Sequence, residues 1–360
     1  MSGVAAVGYL IVMAATYALT ATMMPAASHL ASRMSLVDRP SARKLQTAPV
    51  PLLGGIAMAL GFSMVLLASL LLIDEPDTRR QIVATVGLAV VVLLLGLVDD
   101  LRGLAPWTRL AAEIVVGAAA WAAGLGVSLS GVPLVDLALT IAWVAVVTNA
   151  FNLLDNMDGL SAGVASIAAL WFLVIAGVNG QFLVATMAAA VGGCALGFLR
   201  HNLPPARIYM GDAGALFLGF CLSIVAMKLR FHGPTRVTFF VPILVLGVPL
   251  LDTSLVVLTR VRAGLSPFQG GRDHLSHRLV VLGASTSAAV AGLWAVGLGF
   301  GWAALVMSRV DTGTAFVLMA LVLTLSSGAG ALLVVASAQR ERPQPVPPEP
   351  AVLPGNGGGP

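Results

Sequence analysis

The stretch Asn149 to Gly163, NAFNLLDNMDGLSAG, sets two carboxylates and three amides between two long apolar runs. Burying such groups in hydrocarbon costs several kcal/mol unless they are paired, so this density beside membrane spans marks a site rather than a connector. Asn149, Asn152, Asp155 and Asp158 recur at intervals of three. On an α-helix that spacing drifts by about 60° per step; three of the four share a face, and the fourth joins them only if the segment tightens or breaks. Gly159 offers the break. A plainer use is for Asp155 or Asp158 to cap a helix beginning near Leu160, but one cap needs one residue.

Other constellations point the same way. Asp99 and Asp100 end an apolar run in GLVDDLRG. A helix C-terminus disfavours negative charge, so capping does not explain them, whereas adjacent carboxylates can share a proton or a cation. Asp212, in RIYMGDAGALFLGF after Arg207, suits an N-cap, but Gly211 and Gly214 let a ligand approach and keep a metal-ligand role open. The loop TRVRAGLSPFQGGRDHLSHRL combines Arg260, Arg262, Arg272 and Arg278 with His274 and His277, a composition suited to phosphate groups. VDRPSARKLQTAPVPLLGG carries Arg43 and Lys44, first a topology signal and second a phosphate contact. Asp252 lies inside an apolar run and must face the bundle or water.

The elements that must position these residues are membrane spans. The 360-residue chain is 58% hydrophobic and only 10% charged, with a mean hydropathy of +0.95, which excludes an ordinary soluble domain. Apolar runs long enough to cross about 30 Å of hydrocarbon lie near 4–25, 52–73, 81–97, 109–126, 133–150, 161–178, 182–199, 213–230, 237–258, 280–306 and 313–336. None shows the alternation of a barrel strand, so the expectation is an all-α polytopic protein of about eleven transmembrane helices. Arg33, Arg39, Arg43 and Lys44 follow the first run with no basic residue before it, which predicts an outside N-terminus and a cytoplasmic C-terminus. That topology leaves only Arg79, Arg80, Lys228, Arg230, Arg236 and Arg309 on the outer side and makes the acid- and histidine-bearing loops cytoplasmic. Residues 1–337 form the transmembrane catalytic domain, and the Pro- and Gly-rich 338–360 a disordered tail. Cys194 and Cys221 sit within apolar runs and define neither a disulfide framework nor a zinc site. The net charge of +4 is scattered over short loops, which argues against a nucleic-acid face.

A cytoplasmic group of acids able to hold a divalent cation thus faces basic loops able to hold phosphates. Magnesium takes carboxylate oxygens together with substrate phosphates, and the apolar bulk suggests a lipid as second substrate. VDRPSARK with PLLGG, GLVDDLRG, NAFNLLDNMDGL, GDAG with its preceding arginine, PLLD and HLSHRL stand in that order between Val37 and Leu279. In this the chain resembles the polyprenyl-phosphate N-acetylhexosamine-1-phosphate transferases, more its GlcNAc-type branch than its muramyl-pentapeptide branch.

The resemblance implies transfer of a sugar-1-phosphate, N-acetylglucosamine-1-phosphate first among candidates, from a UDP-sugar to a polyprenyl phosphate. UMP is released with Mg²⁺, or Mn²⁺ in its place, as the first membrane step of a cell-envelope glycan pathway in the bacterial inner membrane, and a homodimer is implied. By the same resemblance Asp99, Asp100, Asp155 and His277 are catalytic. Arg43, Lys44, Asn149, Asn152, Asp158, Arg207, His274 and Arg278 bind substrate, and Asp212, Asp100 and Asn152 attend the metal. Gln46 and Ser276 stand where many relatives have histidine. The competing class is a secondary transporter of an anionic solute, but transporters tend to repeated halves and polar groups in broken helices near the midplane, whereas here the acids gather at span ends.

Overall fold

Apolar runs with no water to satisfy their backbone must close their hydrogen bonds within each segment, and the chain does so. The computed structural model describes residues 3–39, 48–231, 239–268 and 271–340. Within them the helices are α1 (Gly3–Arg33), α2 (Gly54–Ser69), α3 (Pro76–Arg102), α4 (Pro106–Ala122), α5 (Pro133–Leu154), α6 (Leu160–Val178), α7 (Phe182–Asn202), α8 (Gly211–Lys228), α9 (Phe240–Val245), α10 (Gly247–Arg262), α11 (Leu275–Val281), α12 (Thr286–Met307) and α13 (Thr312–Arg340). Proline at the start of α3, α4 and α5 fixes a helical φ where no N–H partner is needed. Glu75 caps α3 from its side chain, and Gly103, left-handed at φ 63°, ends it.

The protein is a multi-pass, all-α membrane protein. Among the described residues nine helices are long and apolar enough to cross a bilayer, against eleven expected runs. The run at 109–126 folds as α4, only 17 residues long. The run at 237–258 begins in residues outside those described and is interrupted at Leu246 between α9 and α10, with Pro242 in one and Pro249 in the other; proline removes a helix donor and clashes with the preceding turn. α13 continues to Arg340, past the expected boundary at 337; the remainder of the tail, 341–360, lies outside the described residues.

α6, α7 and α8 are the most enclosed helices, and α13 is the most peripheral. The Ala- and Gly-rich sequence of α7 allows close helix approach where lipid supplies little hydrophobic drive. α6 and α12 interlock, with the indole of Trp294 against Gly163 and that of Trp171 against Gly301. Both numbers rise together, so the two helices run parallel and begin at the same face. Cys194 and Cys221 are buried and unlinked.

A two-residue ribbon pairs Val37–Asp38 antiparallel to Val50–Pro51, with Val37 opposite Pro51. It docks the PLLGG segment on the loop before α8: Tyr209 N–H donates to Pro51 O (2.8 Å), Gly54 N–H to Tyr209 O (3.0 Å) and Gly55 N–H to Met210 O (3.2 Å). α3 then meets α8 backbone to backbone at Gly96, where an added Cβ would lie 2.5 Å from Ala213 Cα and 2.6 Å from Asp212 C. Backbone cannot swing aside, so Gly96→Ala is expected to cost about 1–3 kcal/mol, the usual range for overpacking. Gly87→Ala on the same helix, with open space around it, should be neutral or slightly stabilising. Thermal midpoints of both variants in detergent check the contrast.

Candidate active site

The contact at Gly96 presents the end of α3 to the beginning of α8. Asp100, on α3, accepts hydrogen bonds from Asp212 N–H at Oδ1 (2.8 Å) and Ala213 N–H at Oδ2 (3.1 Å). Asp100 therefore caps a helix, but one distant in sequence: it lies off the unfavourable C-terminus of α3 and on the favourable N-terminus of α8. This corrects the expectation that capping has no part in the acidic pair. Gly211 makes the approach feasible, since its φ is 67° and a Cβ there would come within 2.5 Å of Asp100 Oδ2. Asp212, in the first turn of α8, does not cap its own helix; its Oδ1 accepts from Asn152 Nδ2 at 2.6 Å, and its carboxyl has Asp99 as a like-charged neighbour.

Asp99 is buried and doubly engaged, accepting from Leu104 N–H at Oδ1 (2.7 Å) and pairing with Arg109 at Oδ2 (2.9 Å). Asn149 faces Glu113 of α4, to which its amide donates. Glu113 is 1% exposed and its Oε1 has no partner among the described residues. The sequence reading passed over both α4 residues. Arg109 and Glu113 stand one helical turn apart, a spacing that puts them on one face, and that was the available signal.

α5 ends at Leu154, Asp155 follows with φ −78° and ψ 53°, and Gly159 is left-handed at φ 77° before α6. This is the break that the four-residue pattern required. Neither Asp155 nor Asp158 caps α6, which has no side-chain cap. Asp158 instead takes Ala206 N–H (2.9 Å) and the Tyr209 side chain. Asn202 ties the same loops together, accepting from Gly159 N–H (2.8 Å) and donating to Ile208 O (3.0 Å). The Asp155 side chain accepts no hydrogen bond from any described residue. Burial, and then the charges of Asp212, Asp100 and Asp158, push its carboxyl up to about 8.

The basic loop is held by α10. Arg260, 4% exposed, makes a forked pair with Asp273 (2.8 and 2.6 Å) and also donates to Pro267 O. Asp252 receives His274 Nδ1 (2.7 Å) and Leu275 N–H (2.7 Å). Arg278 donates to Asp273 O and to Ser337 Oγ on α13, both at 2.9 Å, so the structure joins this predicted substrate ligand to the fold. Ser276 Oγ donates to Asn156 Oδ1 at 2.6 Å, which docks the loop beside Asp155. The ring of His277 lies 6.3 Å from that of His274. Arg207 is exposed and follows Ala206, whose N–H is held by Asp158. Arg43, Lys44 and Gln46 lie outside the described residues.

The donor chemistry suits a hard divalent cation: Asp99, Asp100, Asp155 and Asp212 carry carboxylate oxygens, Asn152 an amide oxygen, and Asp155 pairs with no cation among the described residues. Among the described residues no three acidic, histidine or cysteine side chains converge as a ready-made metal cage. Magnesium in particular needs none, since it keeps waters and is held by one or two carboxylates with substrate phosphates.

Burial opposes ionisation of Asp273, but its hydrogen bonds from and proximity to Arg260 hold the carboxyl below the ordinary range. A depressed folded value means that the pair's contribution is complete above the unfolded value near 3.9 and disappears as pH falls through the folded value. Asp273→Asn should therefore cost about 2 kcal/mol near neutrality, below the range for a fully buried pair because Asp273 is partly exposed. It should also flatten the acid limb of stability below about pH 4; thermal midpoints between pH 3 and 8 check both.

The same segments carry likeness to known proteins. The pattern of glycosyl transferase family 4 matches residues 82–230, from α3 to the end of α8. A Bacillus subtilis protein named "Probable undecaprenyl-phosphate N-acetylglucosaminyl 1-phosphate transferase" is 31% identical over 292 residues, covering 79% of this chain and 80% of that one. The decaprenyl-phosphate N-acetylglucosaminephosphotransferase of Mycolicibacterium smegmatis is 32% identical over 329 residues, 81% of this chain and 80% of its own. The phospho-N-acetylmuramoyl-pentapeptide-transferase of Moorella thermoacetica is 32% identical over 277 residues, 71% and 83% of the two chains. With its acidic motifs joined at one end of the bundle and this extent of likeness, the chain belongs to glycosyl transferase family 4.

Proposed function

We propose that the protein transfers N-acetylglucosamine 1-phosphate from a UDP-sugar to a polyprenyl phosphate, releasing UMP, on the cytoplasmic face of a bacterial plasma membrane. The carrying observation is the meeting of Asp100, Asp212 and Asn152, from three separate motifs, beside a histidine- and arginine-bearing loop at one end of the bundle. The names of the relatives support polyprenyl phosphate as the acceptor and N-acetylglucosamine 1-phosphate as the group transferred. Arg43, Lys44 and the basic loops fall on the same side by the positive-inside rule, which supports a cytoplasmic site, an outside N-terminus and a cytoplasmic C-terminus.

In the reaction an oxygen of the lipid phosphate forms a bond to the sugar-bearing β-phosphorus of the donor. The bond from that phosphorus to the bridging oxygen breaks, and UMP leaves with the bridging oxygen. A divalent cation held by Asp212 with Asn152 and Asp155, magnesium by the oxygen-only donor set, would offset charge on the diphosphate. Asp100 keeps Asp212 in place through the α8 N-terminus. Asp99 holds Arg109 beside the acids, where the guanidinium can meet a phosphate oxygen. A phosphate monoester is largely ionised near neutrality, so attack needs no protein base.

The decisive assay mixes purified protein, polyprenyl phosphate, Mg²⁺ and a panel of UDP-sugars and scores UMP. Release should require lipid and divalent cation together, stop with EDTA, and fall about a hundredfold or more in Asp212→Asn, the scale at which a single electrostatic contact acts in catalysis. Solute uptake by reconstituted protein without UMP release would sink the proposal. With both Asp99 oxygens engaged, Asp99→Asn should reduce the rate while leaving the shape of the pH–rate profile unaltered; loss of its basic-going limb would instead identify Asp99 as the base.

A further inference from the structure

Asp252 and His274 form a buried pair that the proposed reaction has not used. Asp252 is 1% exposed and His274 4%. A carboxylate can only accept, so the 2.7 Å contact between Asp252 Oδ2 and His274 Nδ1 places a proton on Nδ1. The other oxygen, Oδ1, is held by Leu275 N–H at 2.7 Å, and this fixes the carboxylate's orientation. The ring is thereby locked in rotation and tautomer, and Nε2 is the nitrogen left to meet a ligand. The loop around it is aimed as well. Ser276, 1% exposed, hydrogen-bonds Asn156, the neighbour of Asp155, and the α6–α12 interlock starts both helices at that face.

We infer that Asp252 is a positioning residue, which sets the hydrogen-bonding sense of His274 Nε2 toward the sugar-diphosphate portion of the UDP-sugar. The inference rests on the function proposed above. It has a sharp consequence in Asp252→Asn. The amide oxygen keeps the Leu275 N–H and so keeps the loop anchored, which turns the amide N–H₂ toward His274. Nδ1 must then accept, its proton moves to Nε2, and the face offered to the donor reverses from the one Asp252 dictates.

The experiment measures initial rates of UMP release against UDP-sugar concentration for the wild type, Asp252→Asn, His274→Gln and the double variant, with thermal midpoints for all four. The expected result is a KM for UDP-sugar raised tenfold or more in Asp252→Asn, with kcat within threefold of wild type and the midpoint little changed. The double variant should be no worse than His274→Gln, because a residue acting only through His274 has nothing further to lose. If Asp252→Asn lowers the midpoint, His274→Gln provides the second reading, since its amide still donates to Asp252 while the Nε2 face is gone; its KM should rise likewise. A wild-type KM in either single variant, or additive losses in the double variant, overturns the inference and leaves the transferase reading standing. Wild-type protein that releases no UMP from any UDP-sugar defeats both.

Discussion

A carboxylate inserted between two helices, Asp100 between α3 and α8, is the constraint from which the site follows. At the membrane boundary two costs arise independently: an ionisable group taken out of water and helix-terminal N–H groups without partners. Bringing Asp100 onto Asp212 N–H and Ala213 N–H satisfies the helix donors and offsets part of the cost of burying the carboxyl, at the positive end of a helix. The arrangement demands close backbone approach at Gly96 and a left-handed residue without a side chain at Gly211. Once made, it leaves the Asp212 side chain little choice but to face Asn152 and Asp99.

Among the described residues the acids brought together are not balanced by cations. Arg109 pairs with Asp99 through one nitrogen, Asn152 lends Asp212 an amide donor, and Asp155 is left with burial and three like charges. A fold selected for stability alone would dispense with such a residue, and sites that must bind charge commonly hold this kind of unfavourable electrostatics. The unpaired oxygen of Glu113, one helix away behind Asn149, extends the negative region into α4. This excess supports a cationic partner arriving with the substrate.

Much of this was legible in the sequence because membrane depth makes polar residues conspicuous. The span pattern, the break after Asp155 and the grouping of Asp99, Asp100 and Asp212 all followed from asking why a carboxylate lies next to hydrocarbon. What escaped was pairing across elements. Nothing in GLVDDLRG says that Asp100 will cap a helix over a hundred residues away, and the dipole of its own helix pointed in the wrong direction. Arg278, expected to bind substrate, also donates to Asp273 O and Ser337 Oγ within the fold. Ser276, which departs from the histidine of relatives, is the residue that fastens the loop to Asn156. The division of the 237–258 run at Leu246 was marked by two prolines, but length and hydropathy concealed it.

The way the basic loop is held bears on how it meets an anion. Asp252 and Arg260 stand eight residues apart on α10, about 12 Å along a helix, and each grips the segment 273–275. Segment 273–275 is therefore held in place before any ligand arrives, which reduces the entropy lost on binding. The same order consumes the charge that made the sequence look phosphate-binding, since Arg260 and Arg278 are committed within the protein. Burial lowers the pKa of His277, and the charge of Arg272 acts in the same direction, so that ring is neutral near pH 7 and offers one donor and one acceptor in place of a full charge. Recognition on this side of the pocket then depends on direction more than on net charge. In the proposed reaction, a distinction between UDP-sugars of equal charge would call for that property and would rest on the ring orientations of His274 and His277.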